Sequence, residues 1–273
     1  MSDWPQSLIL VGAGKMGEAM LHGWLAAGLE PGRIAILEPK PSPAIVELSE
    51  QCGIPLNPAL DALTPPEALF LAIKPQTLEA AAPDLAPLAG QGTLVVSILA
   101  GKRIADLSAR LPQAGAFVRV MSNTPAAVGR GASAGAATPA TSERQRAFTQ
   151  SLMGAVGAFE WLADEALIDA VTALSGSGPA YVFALVEAMA AAGESVGLPA
   201  DLAMKLARAT VEGAGELLHR EPGVAAGKLR ENVTSPGGTT AAVLSVLRAP
   251  DGLTELMTRA IVAAHKRAGE LAG

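Results

Sequence analysis

Two stretches of this chain combine residue types and spacings suited to holding a nucleotide and a small carboxylate. Leu8-Ile9-Leu10-Val11 runs straight into Gly12-Ala13-Gly14-Lys15-Met16-Gly17, and a segment of helical period follows. In a G-x-G-x-x-G set between strand and helix, the first glycine permits a tight turn and the second lets the backbone approach a pyrophosphate. The third allows the helix to pack closely on the strand, and the helix start offers N–H donors to the phosphates. The second stretch, Thr234-Ser235-Pro236-Gly237-Gly238-Thr239-Thr240, precedes an apolar helix. The N–H groups of Gly238, Thr239 and Thr240 would seat a carboxylate there, completed by the hydroxyls. Ser235 or Thr239 could equally be an ordinary helix cap, but a cap uses one hydroxyl and this loop offers several.

Further candidates fall where a doubly wound sheet binds ligands, at the carboxyl ends of its strands. Glu38-Pro39-Lys40 ends the second apolar run, and its signals conflict. Glu38 stands near the distance at which an acid accepts the ribose 2′-hydroxyl of NAD, whereas Lys40 could pair with the 2′-phosphate of NADP. Ala72-Ile73-Lys74-Pro75 and Leu99-Ala100 follow later runs and are expected near the nicotinamide half. The turn Ser175-Gly176-Ser177-Gly178 lacks side-chain bulk, which would let a nicotinamide and a flat ring stack closely.

The elements that must position these residues change character along the chain. Short continuous apolar runs at 8–11, 33–37, 68–73, 93–97 and 117–120 alternate with helix-like segments at 16–27, 44–52, 78–88 and 104–111. Continuous runs suit strands covered on both faces, so the series predicts a βαβ order and a doubly wound parallel sheet. Beyond Ala163 the runs stop. Asp164 can cap a helix over 165–174, Pro179 opens another, Gly197 ends it and Pro199 opens the next. We therefore expect an α/β Rossmann-type domain over 1–163 and an all-helical domain over 164–273. In the helix at 180–195 Glu187 and Glu194 share one face and leave the rest apolar, which predicts burial against a second subunit.

Composition excludes other classes. The 273 residues carry a net charge of −6 and no basic patch with interleaved aromatics, so nucleic acid is not an expected partner. Three scattered histidines and a lone cysteine, Cys52, offer no metal-ligand spacing. The apolar segment 180–193 is too short to span a membrane, and the start of the chain lacks a secretory pattern. A cytoplasmic protein is expected.

Five motifs in order carry a resemblance over nearly the whole length: Gly12 to Gly17, Lys74-Pro75-Gln76, Val120-Met121-Ser122-Asn123-Thr124-Pro125, Leu174-Ser175-Gly176-Ser177-Gly178-Pro179-Ala180-Tyr181, and Val233-Thr234-Ser235-Pro236-Gly237-Gly238-Thr239-Thr240. The chain resembles the pyrroline-5-carboxylate reductases. That resemblance implies reduction of a cyclic imine, 1-pyrroline-5-carboxylate, to L-proline by NADPH, with NADH as the alternative donor. It further implies a dimerising helical domain, and dimers that build larger rings. Asn123 and Asn232 would serve the cofactor. Ser177, Ser235, Gly238, Thr239 and Thr240 would hold the substrate, with the Thr240 hydroxyl near the ring nitrogen. Glu165 and Glu221 align with acids around the family's pocket. Ser122, Val243 and Arg248 depart from the family pattern, which usually has proline, a small residue and an acid there.

The residues suit this chemistry without the family name. A 3-hydroxy acid dehydrogenase needs a general base after its glycine-rich turn, yet Ser177-Gly178-Pro179-Ala180-Tyr181-Val182-Phe183 contains no Lys or His. A protonated imine is already electrophilic and needs chiefly alignment with a hydride donor. A dinucleotide-binding regulator without turnover is the alternative from another class.

Overall fold

The computed structural model describes residues 3–272. Seven strands form one sheet: β1 (Leu8–Val11), β2 (Ile34–Leu37), β3 (Ala68–Leu71), β4 (Leu94–Ser97), β5 (Ala116–Met121), β6 (Gly131–Ala137) and β7 (Gly157–Trp161). Their order is β2-β1-β3-β4-β5-β6-β7. The helices α1 (Lys15–Ala26), α2 (Pro43–Cys52), α3 (Leu78–Leu85), α4 (Ile104–Arg110) and α5 (Glu143–Gly154) connect them. Successive residues of a strand face opposite layers, so the continuous apolar runs feed two cores. One contains Leu8, Leu10, Phe70 and Val96; the other contains Ile9, Val11, Leu69 and Val95.

The sheet departs from the expected all-parallel form at its far edge. β6 pairs antiparallel with β5 and parallel with β7, and neither of these last two strands is predicted by the apolar runs. β6 reads Gly-Ala-Ser-Ala-Gly-Ala-Ala, with no β-branched or aromatic residue to signal a strand. Its smallness is a packing need: a Cβ on Gly135 would come within 3.0 Å of the Phe159 ring on β7.

The chain forms two compact units. The first runs to Ser177 and takes the chain in again from His265, while the second is Gly178–Ala264. After β7, the single helix expected over 165–174 is instead a 3-10 turn (Glu165–Leu167), α6 (Ile168–Val171) and a π-helical segment (Thr172–Gly176). Asp164 does cap this start, its carboxylate accepting from the Ala166 N–H at 2.9 Å. The expected turn at Ser175-Gly176 is thus helix, because the wider π register carries the coil on to Gly176. Gly176 abuts the Met121 side chain so closely that a Cβ there would overlap it.

The second unit is built from α7 (Gly178–Ser195), α8 (Ala200–Arg220), α9 (Ala226–Asn232), α10 (Thr239–Leu247) and the opening turns of α11 (Leu253–Ala272). Gly197 adopts φ +101° to end the α7 connection, and Pro199 stands at the N-cap of α8. The two helices close on small residues, with Gly193 against Ala203 and with Ala190, Ala203 and Ala207 buried. Val182, Phe183 and Leu185 of α7 lie exposed in the single chain.

Candidate functional site

Two glycines of the first motif have separate steric reasons, and the third leaves open space. Gly12 adopts φ +93°, and a Cβ on it would lie 2.8 Å from the Ala72 carbonyl carbon and the Ile73 nitrogen beyond β3. A Cβ on Gly17 would overlap the Gly12 carbonyl, whereas one on Gly14 would meet nothing within 4 Å. Gly14 is also the N-cap of α1 and provides no side-chain cap, so the first N–H groups of that helix are left for an external acceptor. With β2 and β3 flanking β1, this loop opens at the point where the strand order reverses, the crevice where such sheets bind nucleotides. Open space over Gly14 and uncapped donors at Lys15 and Met16 fit a pyrophosphate.

Glu38 is built into the same loop. Its carboxylate accepts from the Ala13 N–H at 2.8 Å and from the Lys40 N–H at 3.0 Å. Asn57 brackets its backbone, accepting from the Glu38 N–H and donating to the Glu38 carbonyl, both at 2.8 Å. Asn57 holds φ +50°, the one non-glycine positive φ among the described residues. The sequence reading overlooks it; an asparagine tolerant of that conformation in a turn is the available signal.

Ala72 and Ile73 continue β3 beside Gly12, with Ala72 donating to the Val11 carbonyl at 2.8 Å, while Lys74 is exposed. Pro75 and Ala100 line a cleft of about 340 Å³ together with Gln76, Lys102, Arg119 and Asp169. Leu99 points instead into the core, 2% exposed, so its backbone rather than its side chain faces that edge.

Glu165 and Asn123 are engaged within the protein. A Glu165 oxygen accepts from the Ile104 N–H at 2.8 Å and from the Arg119 guanidinium at 3.1 Å. Arg119 is 4% exposed and also stands 3.8 Å from Asp169. Sequence reasoning passes over Arg119, whose signal is a lone cation within an apolar strand. The Asn123 amide donates to the Ser175 carbonyl and accepts from the Ala132 N–H, both at 2.9 Å, tying β5 to the π segment and to β6. The departing Ser122 is buried and accepts from the Ser133 hydroxyl at 2.8 Å, a bond that proline could not make. Ser177 follows the π segment, and its N–H donates to the Thr172 carbonyl at 2.9 Å.

In the second unit the loop ahead of α10 differs from expectation in one donor. The Gly238 N–H is spent on the Ser235 carbonyl at 3.1 Å, closing a turn in which Gly237 adopts φ +71°. Free first-turn donors therefore begin at Thr239 and Thr240. No side chain caps α10, so neither Ser235 nor Thr239 acts as the ordinary cap. The Ser235 hydroxyl lies against Gly238, where a Cβ would displace it. Asn232 ends α9 and is exposed; Glu221 is the exposed C-cap residue of α8. The arrangement is an uncapped helix start with three hydroxyls, suited to a small carboxylate.

Comparison with known proteins covers both units. A family model described as pyrroline-5-carboxylate reductase dimerisation matches residues 165–271, and one described as NADP oxidoreductase coenzyme F420-dependent matches 7–101. The pyrroline-5-carboxylate reductases of Pisum sativum and Pseudomonas aeruginosa are each 38% identical to the chain, with 97% of it and 96% of the relative aligned. The structure of a pyrroline-5-carboxylate reductase from Coxiella burnetii superposes with a TM-score of 0.90 at 32% identity, covering 98% of this chain and 99% of that one.

Proposed function

The chain belongs to the pyrroline-5-carboxylate reductase family, and we propose that it reduces the C=N bond of 1-pyrroline-5-carboxylate to give L-proline, the last step of proline biosynthesis. The donor, NADPH or NADH, supplies the hydride that ends on the imine carbon. The observation that carries this reading is the uncapped start of α10. There the Thr239 and Thr240 N–H groups and the Ser235 hydroxyl hold the substrate carboxylate, and Gly238 keeps the turn free of bulk. The Thr240 hydroxyl accepts from the N–H of the protonated imine; as hydride adds to carbon the C=N electron pair passes to nitrogen, which keeps its proton and becomes a secondary amine. A protonated imine needs orientation and a hydrogen bond rather than a strong base.

In the first unit, the N–H groups of Lys15 and Met16 beside Gly14 take the pyrophosphate, Gly12, Ala13 and Gly17 shape the loop around it, and Glu38 meets the ribose at a turn that the Lys40 backbone N–H closes. The backbone of Ala72, Ile73, Pro75, Leu99 and Ala100, with Lys74, faces the nicotinamide half. Asn123 and Glu165 act as positioning residues through the bonds described above. Ser177 and Glu221 border the substrate, and Asn232 reaches the cofactor. Functionally we divide the chain at 163/164. The helical part dimerises through its exposed apolar side chains, dimers assemble into a larger ring, and the enzyme works in the cytoplasm.

The test mixes purified protein with 1-pyrroline-5-carboxylate and follows the loss of nicotinamide absorbance. The expected result is rapid oxidation by the parent protein, and for Thr240→Ala a turnover lowered about a hundredfold with cofactor affinity retained. A parent that binds cofactor yet oxidises none overturns the reaction. A Thr240→Ala variant at parental rate removes the role of Thr240.

A further inference from the structure

We infer that Glu38 sets the dinucleotide site to select the ribose 2′-hydroxyl of NADH against the 2′-phosphate of NADPH. This rests on the dinucleotide part of the proposed function and not on the imine chemistry. It also runs against the NADP named in the description of the matched amino-terminal model.

A flexible glutamate at the end of β2 could swing aside for a phosphate, but this one is held at every polar group. Its two carboxylate oxygens accept from Ala13 in the glycine loop and from Lys40, and its backbone N–H and carbonyl are both bonded to Asn57. Asn57 is itself fixed, its N–H donating to the Ile36 carbonyl at 2.7 Å. Bonds from N–H groups to a carboxylate are roughly twice as strong as neutral ones, so displacing this side chain is costly. Each carboxylate oxygen keeps a lone pair, enough to accept a ribose hydroxyl. A phosphate in the same place would meet a fixed like charge.

Lys40 is the competing signal, and the structure weakens it. Its backbone N–H is already given to Glu38 and is not free for a phosphate. Its side chain is exposed and forms no ion pair with Glu38 among the described residues. An exposed ammonium is screened by water and contributes little.

The test is equilibrium binding, which needs no imine: NADH against NADPH by nicotinamide fluorescence, and ADP-ribose against 2′-phospho-ADP-ribose by calorimetry. The parent protein is expected to bind the 2′-hydroxyl ligand of each pair about tenfold tighter or more. Glu38→Gln keeps the shape and removes the charge, and Glu38→Ser opens the space; both are expected to erase the preference by improving NADPH binding. Lys40→Ala is expected to leave the ratio within about twofold. The proposal is overturned by a parent that favours NADPH, by a Glu38→Gln that weakens both ligands equally, or by a Lys40→Ala that alone abolishes NADPH binding. Failure to bind any of the four ligands is a separate result, which removes the dinucleotide reading itself.

Discussion

In the first unit Trp24, Phe70, Phe148, Leu10 and Met20 are fully buried, whereas in the second the buried apolar residues among those described are Ala190, Ala203 and Ala207. The large side chains of the second unit lie open instead: Phe183 is 65% exposed, Val246 70% and Val196 82%. The difference follows from architecture. A parallel sheet between helix layers closes two cores from one chain, with each strand supplying both. Helices that close on alanine and glycine approach tightly and turn their bulk outward. Each such Phe, Leu or Val would contribute about 1.5–3 kcal/mol if covered, which is large against a net stability of about 5–15 kcal/mol. The second unit therefore gains most from another apolar surface.

The largest expected effect separates the units by concentration dependence. Trp24 is edge-on to Phe70 and donates from its indole to the Leu152 carbonyl at 2.9 Å. Trp24→Ala should cost about 4 kcal/mol, a loss that denaturant titration finds equal at low and high protein concentration. A smaller loss would mean that this core repacks around the missing ring.

Next in size are Phe183→Asp on α7 and Val246→Asp on α10, each of which should weaken self-association about a hundredfold, or about 2.7 kcal/mol. Analytical ultracentrifugation reads this directly. Since these side chains are exposed in the single chain, the variants should leave the sheet unit intact by near-ultraviolet signal from Trp24. A parent protein that sediments as a monomer would break the comparison, because the open apolar face would then be stable in water.

What the sequence made legible follows the same division. The buried strands announce themselves because two-sided burial demands unbroken apolar runs, and the glycine loop because Gly12 and Gly17 answer steric needs that no other residue meets. β6 stayed hidden: its constraint is the Phe159 ring over Gly135, a long-range contact that leaves only small residues in the local sequence. The π segment was hidden for a similar reason, since Ser175-Gly176 reads as a turn until Met121 is seen packed on it. At the α10 loop the residue types showed a helix start rich in hydroxyls and glycine, but not that the Ser235 carbonyl would consume the Gly238 N–H. At the ribose end the sequence left Glu38 and Lys40 in balance. The structure adds that Ala13 and Lys40 both donate to the Glu38 carboxylate and that Asn57 brackets its backbone, the Ala13 and Asn57 contacts joining residues far apart in the sequence.

The smallest expected effect concerns how the first unit secures its own edge. Ahead of β3, Glu67 accepts from the Gln6 N–H at 2.6 Å and from Arg144 of α5 at 2.6 Å. Burial pushes the Glu67 carboxyl up, but the hydrogen bonds from Arg144 and Gln6 outweigh it and hold it below the ordinary value of 4.5. A carboxyl lowered on folding stabilises the protein fully above its unfolded pKa and loses that contribution as pH falls through the folded one. Stability should thus decline on the acid side of about pH 4.5. Arg144 is half exposed, so water screens the pair and its share is below about 1 kcal/mol. Arg144→Ala should flatten that acid limb while leaving self-association unchanged. An unaltered limb would mean that the Gln6 N–H and the Arg33 charge keep Glu67 ionised without Arg144. A limb that shifted with protein concentration would place its origin in the subunit contact rather than at this edge.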